Sequence, residues 1–101
     1  MSRETNLQRW VMAFIRALPV RQGRKPWAYK THGSAYQHAG LPDVSAVIYG
    51  RSVWIETKQP GKTSTPIQRR VQDLLRRAGA LVAEVHDMDE CKNFLRENNL
   101  L

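Results

Sequence analysis

Residues 42–58 read PDVSAVIYGRSVWIETK. Two β-rich runs, 43–49 and 52–58, flank Gly50-Arg51, and that two-residue spacing predicts a hairpin. Alternation along the second run puts Trp54, Glu56 and Lys58 on one face and Val53, Ile55 and Thr57 on the other. An acid and a base therefore point the same way near the end of an otherwise apolar strand. Asp43 opens the paired strand, directly after the rigid Pro42. A turn at 50–51 sets Asp43 opposite Lys58 and diagonal to Glu56.

Outward from this hairpin, the elements follow from periodicity and punctuation. On the N-terminal side, residues 4–18 carry Leu7, Val11, Phe14 and Leu18 at helical spacing, and Pro19 ends the pattern. RQGRKP at 21–26 is a basic turn, WAYKTH at 27–32 a short strand, and GSAYQHAGLP at 33–42 a loop. On the C-terminal side, QPGKTS at 59–64 is a second loop. Thr65, Pro66 and Gln68 then form a capping box with proline at the first helical position. The helix that follows has the apolar stripe Ile67, Val71, Leu74, Leu75 and Ala78, and Gly79 caps it. ALVAEVH at 80–86 is a strand. Asp87 with Glu90 starts a last helix whose inward residues are Met88, Cys91, Phe94 and Leu95. The order α-β-β-β-α-β-α predicts an α/β fold, a central mixed sheet flanked by helices, in a single domain over 1–101.

Composition narrows the function classes. The chain has 101 residues, 42% hydrophobic and 25% charged, which suits one folded domain. One cysteine, Cys91, excludes an intrachain disulfide and a multi-cysteine zinc site, and it points to a reducing, cytoplasmic setting. No apolar run approaches the ~20 residues of a membrane span. The net charge of +7 is unevenly placed: residues 1–70 hold twelve basic and three acidic side chains, whereas residues 71–101 hold four basic and six acidic. Such a distribution suits a polyanion, most simply nucleic acid, although a solvated surface has the same composition.

The hairpin end carries candidate chemistry. Two carboxylates held close repel, and one tends to protonate. A divalent cation between them removes the conflict, and Mg²⁺ takes oxygen ligands with one or two carboxylates while keeping several waters. Such an ion lowers the pKa of bound water and polarises a phosphodiester oxygen, and Lys58 is placed to stabilise the charge that develops there. A salt-bridged surface hairpin shows the same spacing.

Pro42-Asp43, twelve residues, then Glu56-Thr57-Lys58 resembles the P-D-(x)n-E-x-K motif of the PD-(D/E)XK nuclease superfamily. Gly33-Ser34, Tyr36-Gln37, Gly40, Pro60-Gly61, Thr65-Pro66 and Gln68 stand in the order and spacing of its VRR-NUC branch, over about residues 27–95. The small size resembles its stand-alone, virus-type members. The resemblance implies a restriction-endonuclease-like fold and metal-dependent hydrolysis of DNA, with a preference for branched forms such as flaps or four-way junctions, by a homodimer. It implies that Asp43 and Glu56 are the metal-binding acids, that the Thr57 carbonyl is a backbone ligand and that Lys58 is the catalytic lysine. Gln68 matches a glutamine beside the site, and Mg²⁺, replaceable by Mn²⁺, is the implied cofactor. Relatives carry an acid on the first helix. Glu4, three residues before Leu7, falls on the inward stripe and is the only acid in that region, with Gln8 one turn later as the alternative.

Other residues have two readings. Arg21, Arg24, Lys25 and Lys30 form the densest basic patch and are expected on the phosphate backbone rather than on base edges. Gln37 and Lys62 are further candidate DNA contacts, and Lys62 is equally an exposed loop lysine. Tyr36 is either a stacking platform or a core anchor. His32, His38 and His86 lack metal-ligand spacing and are read as structural or surface residues. Trp10, Trp27 and Trp54 are expected to fill the core.

Overall fold

A computed structural model describes residues 3–31 and 38–101. His32, Gly33, Ser34, Tyr36 and Gln37, singled out in the sequence, lie outside the described residues. The elements are α1 (Arg3–Arg16), β1 (Trp27–Lys30), β2 (Val44–Ile48), β3 (Arg51–Thr57), α2 (Pro66–Arg77), β4 (Leu81–Val85) and α3 (Met88–Glu97). The expected order α-β-β-β-α-β-α is therefore the observed one. One four-stranded sheet runs β1-β2-β3-β4. The first three strands are an antiparallel meander, and α2 carries the chain over to β4, parallel to β3. Among the described residues, no helix is long and apolar enough to cross a membrane.

The core forms on one face of the sheet. Pairing aligns Ala28, Ala46 and Val53, and likewise Val44 and Ile55. All five are buried, against Leu7, Val11 and Ile15 of α1 and Cys91 and Leu95 of α3. These positions recur at period two on the strands and near period 3.6 on the helices, so alternation alone brings them together. The opposite face is only partly covered, because α2 packs against β4 and leaves the meander open. Trp27, Tyr29 and Val47 are exposed there, and Trp54 is half-buried. Two of the three tryptophans thus depart from the core expectation. Trp10 lies on the outer side of α1, and Trp27 alternates onto the uncovered face, where the Arg16 guanidinium sits 4.0 Å above its ring. Three of the five residues of the expected α2 stripe are also open: Ile67, Leu74 and Ala78 are exposed, Leu75 is half-buried and Val71 is buried.

The hairpin turn lies one residue earlier than the spacing suggests. Tyr49 and Gly50 are the central residues, at φ +50° and +80°, and Ile48 pairs with Arg51. Positive φ at both centres is the type I′ arrangement, which takes glycine at its second position. Arg51 is therefore the first residue of β3 rather than part of the turn. The register Val44↔Ile55, continued by one residue, puts Asp43 opposite Glu56 instead of Lys58. The slip is by two in pairing register, so every side chain keeps its face.

Two contacts set the approach to Asp43. The Thr31 amide donates to the Asp43 carbonyl at 2.8 Å, and the Thr31 hydroxyl donates to the Pro42 carbonyl at 2.7 Å. Gly40, at φ +89°, lies so close to α2 that a Cβ there would meet the Ile67 carbonyl oxygen at 2.8 Å. The segment before Asp43 is thus clamped between β1 and α2.

Candidate metal centre

Residues 1–70 contain only three acids, Glu4, Asp43 and Glu56, and the fold brings all three together. Each offers a carboxylate oxygen, and these oxygens lie within 4.8 Å of one another. Asp43 is held by β3: its Oδ2 accepts from the Thr57 amide at 3.0 Å and from the Thr57 hydroxyl at 2.8 Å. Glu56, directly across, is 1% exposed. Glu4 comes from the first turn of α1, on the same side of the helix as Leu7, Gln8 and Val11.

The electrostatics of this group are unfavourable by itself. Burial, with the hydrogen bond and charge of Asp43, raises the Glu56 pKa to about 9; Glu4 adds to the rise and Lys58 opposes it. Glu56 Oε2 is buried and has no hydrogen-bond partner, and the same holds for Gln8 Oε1 one turn beyond Glu4. A buried acceptor without a donor normally costs stability. A buried oxygen without a donor, in a cluster of three carboxylates, fits a hard divalent cation. Glu4 supplies the third carboxylate of the cluster.

Lys58 follows β3 immediately. Its amide donates to the Val85 carbonyl at 2.9 Å, which extends the β3–β4 pairing past the acids. Behind it stands a polar network that sequence reasoning missed. Glu84 is the β4 partner of Glu56 and accepts from the Ser64 amide at 2.6 Å and from the Ser64 hydroxyl. Buried Gln72 donates to the same hydroxyl at 2.8 Å. His86 donates through Nε2 to the Lys62 carbonyl at 2.7 Å and pairs through Nδ1 with Glu90 at 2.8 Å. Both partners favour the imidazolium and raise its pKa, the Glu90 hydrogen bond most. The network ties the 59–65 loop to β4 and α3. The one local signal was Gln72, a polar residue beside Val71 on the buried side of α2.

No family model and no curated protein matches the sequence. Solved structures do match the architecture that carries the acids. One, described as a VRR_NUC domain, is 23% identical, has a TM-score of 0.76 and aligns over 96% of this chain and 97% of its own. Another, described as a VRR_NUC domain protein, is 21% identical with a TM-score of 0.74, over 92% of this chain and 84% of its own. The chain has the VRR-NUC fold.

Within this VRR-NUC fold the expected site residues separate into groups. Asp43, Glu56, Thr57 and Glu4 come together, with Lys58 adjacent in the chain and close enough to act on the charge of Glu56. Gln68 closes the capping box of α2: its Oε1 accepts from the Thr65 amide at 2.9 Å, so that oxygen is turned back onto the cap. Lys30 pairs with Val44 at the acid end of the sheet, and Lys62 lies on the loop after Lys58. Arg21, Arg24 and Lys25 do not join them. They cluster around the hairpin turn, where Arg24 donates to the Tyr49 carbonyl at 3.4 Å, and Lys25 donates to the Leu18 carbonyl at 2.7 Å. One sequence patch is thus divided between the two ends of the sheet.

Proposed function

We propose that this chain is a metal-dependent deoxyribonuclease. The observation that carries the reading is the convergence of Glu4, Asp43 and Glu56 beside Lys58, in a chain otherwise rich in positive charge. In this reading Asp43, Glu56, Glu4 and the Thr57 carbonyl hold Mg²⁺, with Mn²⁺ able to replace it. Held there, the ion would supply a water of lowered pKa and would polarise a phosphodiester oxygen. Thr57 keeps Asp43 in place through its amide and hydroxyl, so that carboxylate need not reorganise. The Lys58 ammonium would stabilise the charge that builds on the phosphate oxygens as a water oxygen bonds to phosphorus and the P–O bond to the leaving oxygen breaks, the water's protons leaving to solvent and to that oxygen. Lys30 and Lys62, on the flanks of the acid end, contact neighbouring phosphates.

The finer form of the reading is a homodimer acting on branched DNA. A two-fold pair presents two equal sites to two strands. The apolar surface left open at Trp27, Tyr29 and Val47 supports a contact between subunits. The test is to incubate the protein with linear, flapped and four-way-junction DNA in Mg²⁺, Mn²⁺ or EDTA. The expected result is metal-dependent cutting that is lost in Lys58→Ala while binding persists, with branched DNA cut fastest and a dimer in sedimentation. Salt-sensitive binding without cutting in any metal instead makes the chain a DNA-binding module on the same fold.

A further inference from the structure

The hairpin turn lies at the far end of β2 and β3 from the acids, and its surface has the opposite character. Arg21 and Arg51 line an open cavity of about 650 Å³ together with Tyr49 and Asn99. Arg24 lies against the turn: its Nη1 is where a Cβ on Gly50 would meet it at 2.8 Å. Glycine at position 50 therefore serves both the turn and the approach of the guanidinium.

Two of these arginines are already oriented. Arg21 stacks over the Tyr49 ring at 4.5 Å from its centroid and donates to the Asn99 carbonyl at 3.2 Å. The Tyr49 hydroxyl is itself anchored on the Pro19 carbonyl at 2.6 Å. Each guanidinium has five N–H donors, so one bond apiece leaves most of them for a ligand. The Arg51 side chain makes no hydrogen bond or ion pair among the described residues. No carboxylate among the described residues forms an ion pair with any of the three. Two unneutralised forks on the cavity and a third at the adjoining turn match phosphate oxygens in charge and geometry.

Resting on the nuclease reading, we propose that Arg21, Arg24 and Arg51 form a second phosphate-backbone contact that grips the DNA arm away from the cut. Asp43 and Ile48 are five residues apart on one strand, which spans about 17 Å. At the rise of a DNA helix this is about five base pairs. The contact sets how much duplex must extend beyond the scissile bond, and it adds affinity without reading sequence.

The experiment uses Arg51, whose removal breaks no bond in the fold. Binding of a labelled duplex is measured by anisotropy over a salt series for wild type, Arg51→Ala and Arg51→Glu. The expected result is weaker binding in both variants, with the salt slope of Arg51→Ala lower by about one. Arg51→Cys is then labelled with a photo-cross-linker, Cys91 being buried with its thiol raised to about 11 and so unreactive. Cross-links are expected about five nucleotides from the cut. Unchanged affinity and slope, or cross-links at the cut itself, overturn the second contact. If the wild type still cuts DNA in that case, the nuclease reading stands. A wild type that neither binds nor cuts DNA removes both.

Discussion

The two ends of the β2–β3 ribbon are built from the same strands and solve opposite problems. At one end Asp43 and Glu56 face each other, with Glu4 brought in from α1, and the group is half-buried or buried. At the other end Arg21, Arg24 and Arg51 surround a turn, exposed and without acid partners among the described residues. Like charges at an exposed end are screened by water and salt, and they cost little. Like charges at a buried end cannot be screened, so one acid holds a proton or the group holds a cation. Repulsion is therefore stored only at the acid end, and that end is where a metal has most to gain.

The comparison breaks first at Lys58. Lys58→Ala is expected to lower metal-dependent cutting by about a hundredfold or more while DNA binding persists, as seen in a cleavage assay beside a gel shift. Glu56→Gln comes next. In metal-free buffer at pH 8 the variant is expected to melt roughly 5 °C or more above wild type, because it folds without the proton uptake that Glu56, at a folded-state pKa of about 9, requires at that pH. The same substitution is expected to abolish Mn²⁺ binding in calorimetry. A variant that melts lower in EDTA and still binds Mn²⁺ would show that the acids are not in conflict.

Acid–base linkage sharpens the same contrast. The folded-state pKa of Glu56 is raised from 4.5 to about 9, so the folded protein holds more protons than the unfolded chain between those values. Metal-free stability is thus expected to fall as pH rises through that window, read by urea unfolding in EDTA. Mg²⁺ is expected to stabilise more at pH 8 than at pH 5, because it competes with the proton. Asp43→Ala has a smaller effect on the fold. Thr57 loses the acceptor of its amide and hydroxyl, at a cost of about 1–3 kcal/mol in denaturant unfolding. Smallest is Arg51→Ala, expected to change stability by less than about 0.5 kcal/mol while it weakens DNA binding.

Much of the acid end was legible because it depends on local rules. Alternation placed Glu56 and Lys58 on one face, Pro42 marked the entry of Asp43, and helical spacing placed Glu4 inward. The pairing register was misread by one turn position, since Gly50 can be read as either centre of a two-residue loop until the φ angles at Tyr49 and Gly50 are known. The Glu84–Ser64–Gln72 group and the His86 bridge were not legible, because their members are up to 24 residues apart and meet only when α2 carries the chain to β4.

By itself, the amino-acid order determined the succession of elements, the faces of the strands, the cap of α2 and the excess of positive charge, since these follow from periods of 2 and 3.6 and from nearest-neighbour chemistry. Only the tertiary structure decided that Glu4 comes within reach of Asp43 and Glu56, that Trp10 and Trp27 stay outside, and that one run of basic residues lies at opposite ends of the sheet. Those outcomes depend on which helix covers which strand, and packing between distant segments is set by the whole chain at once.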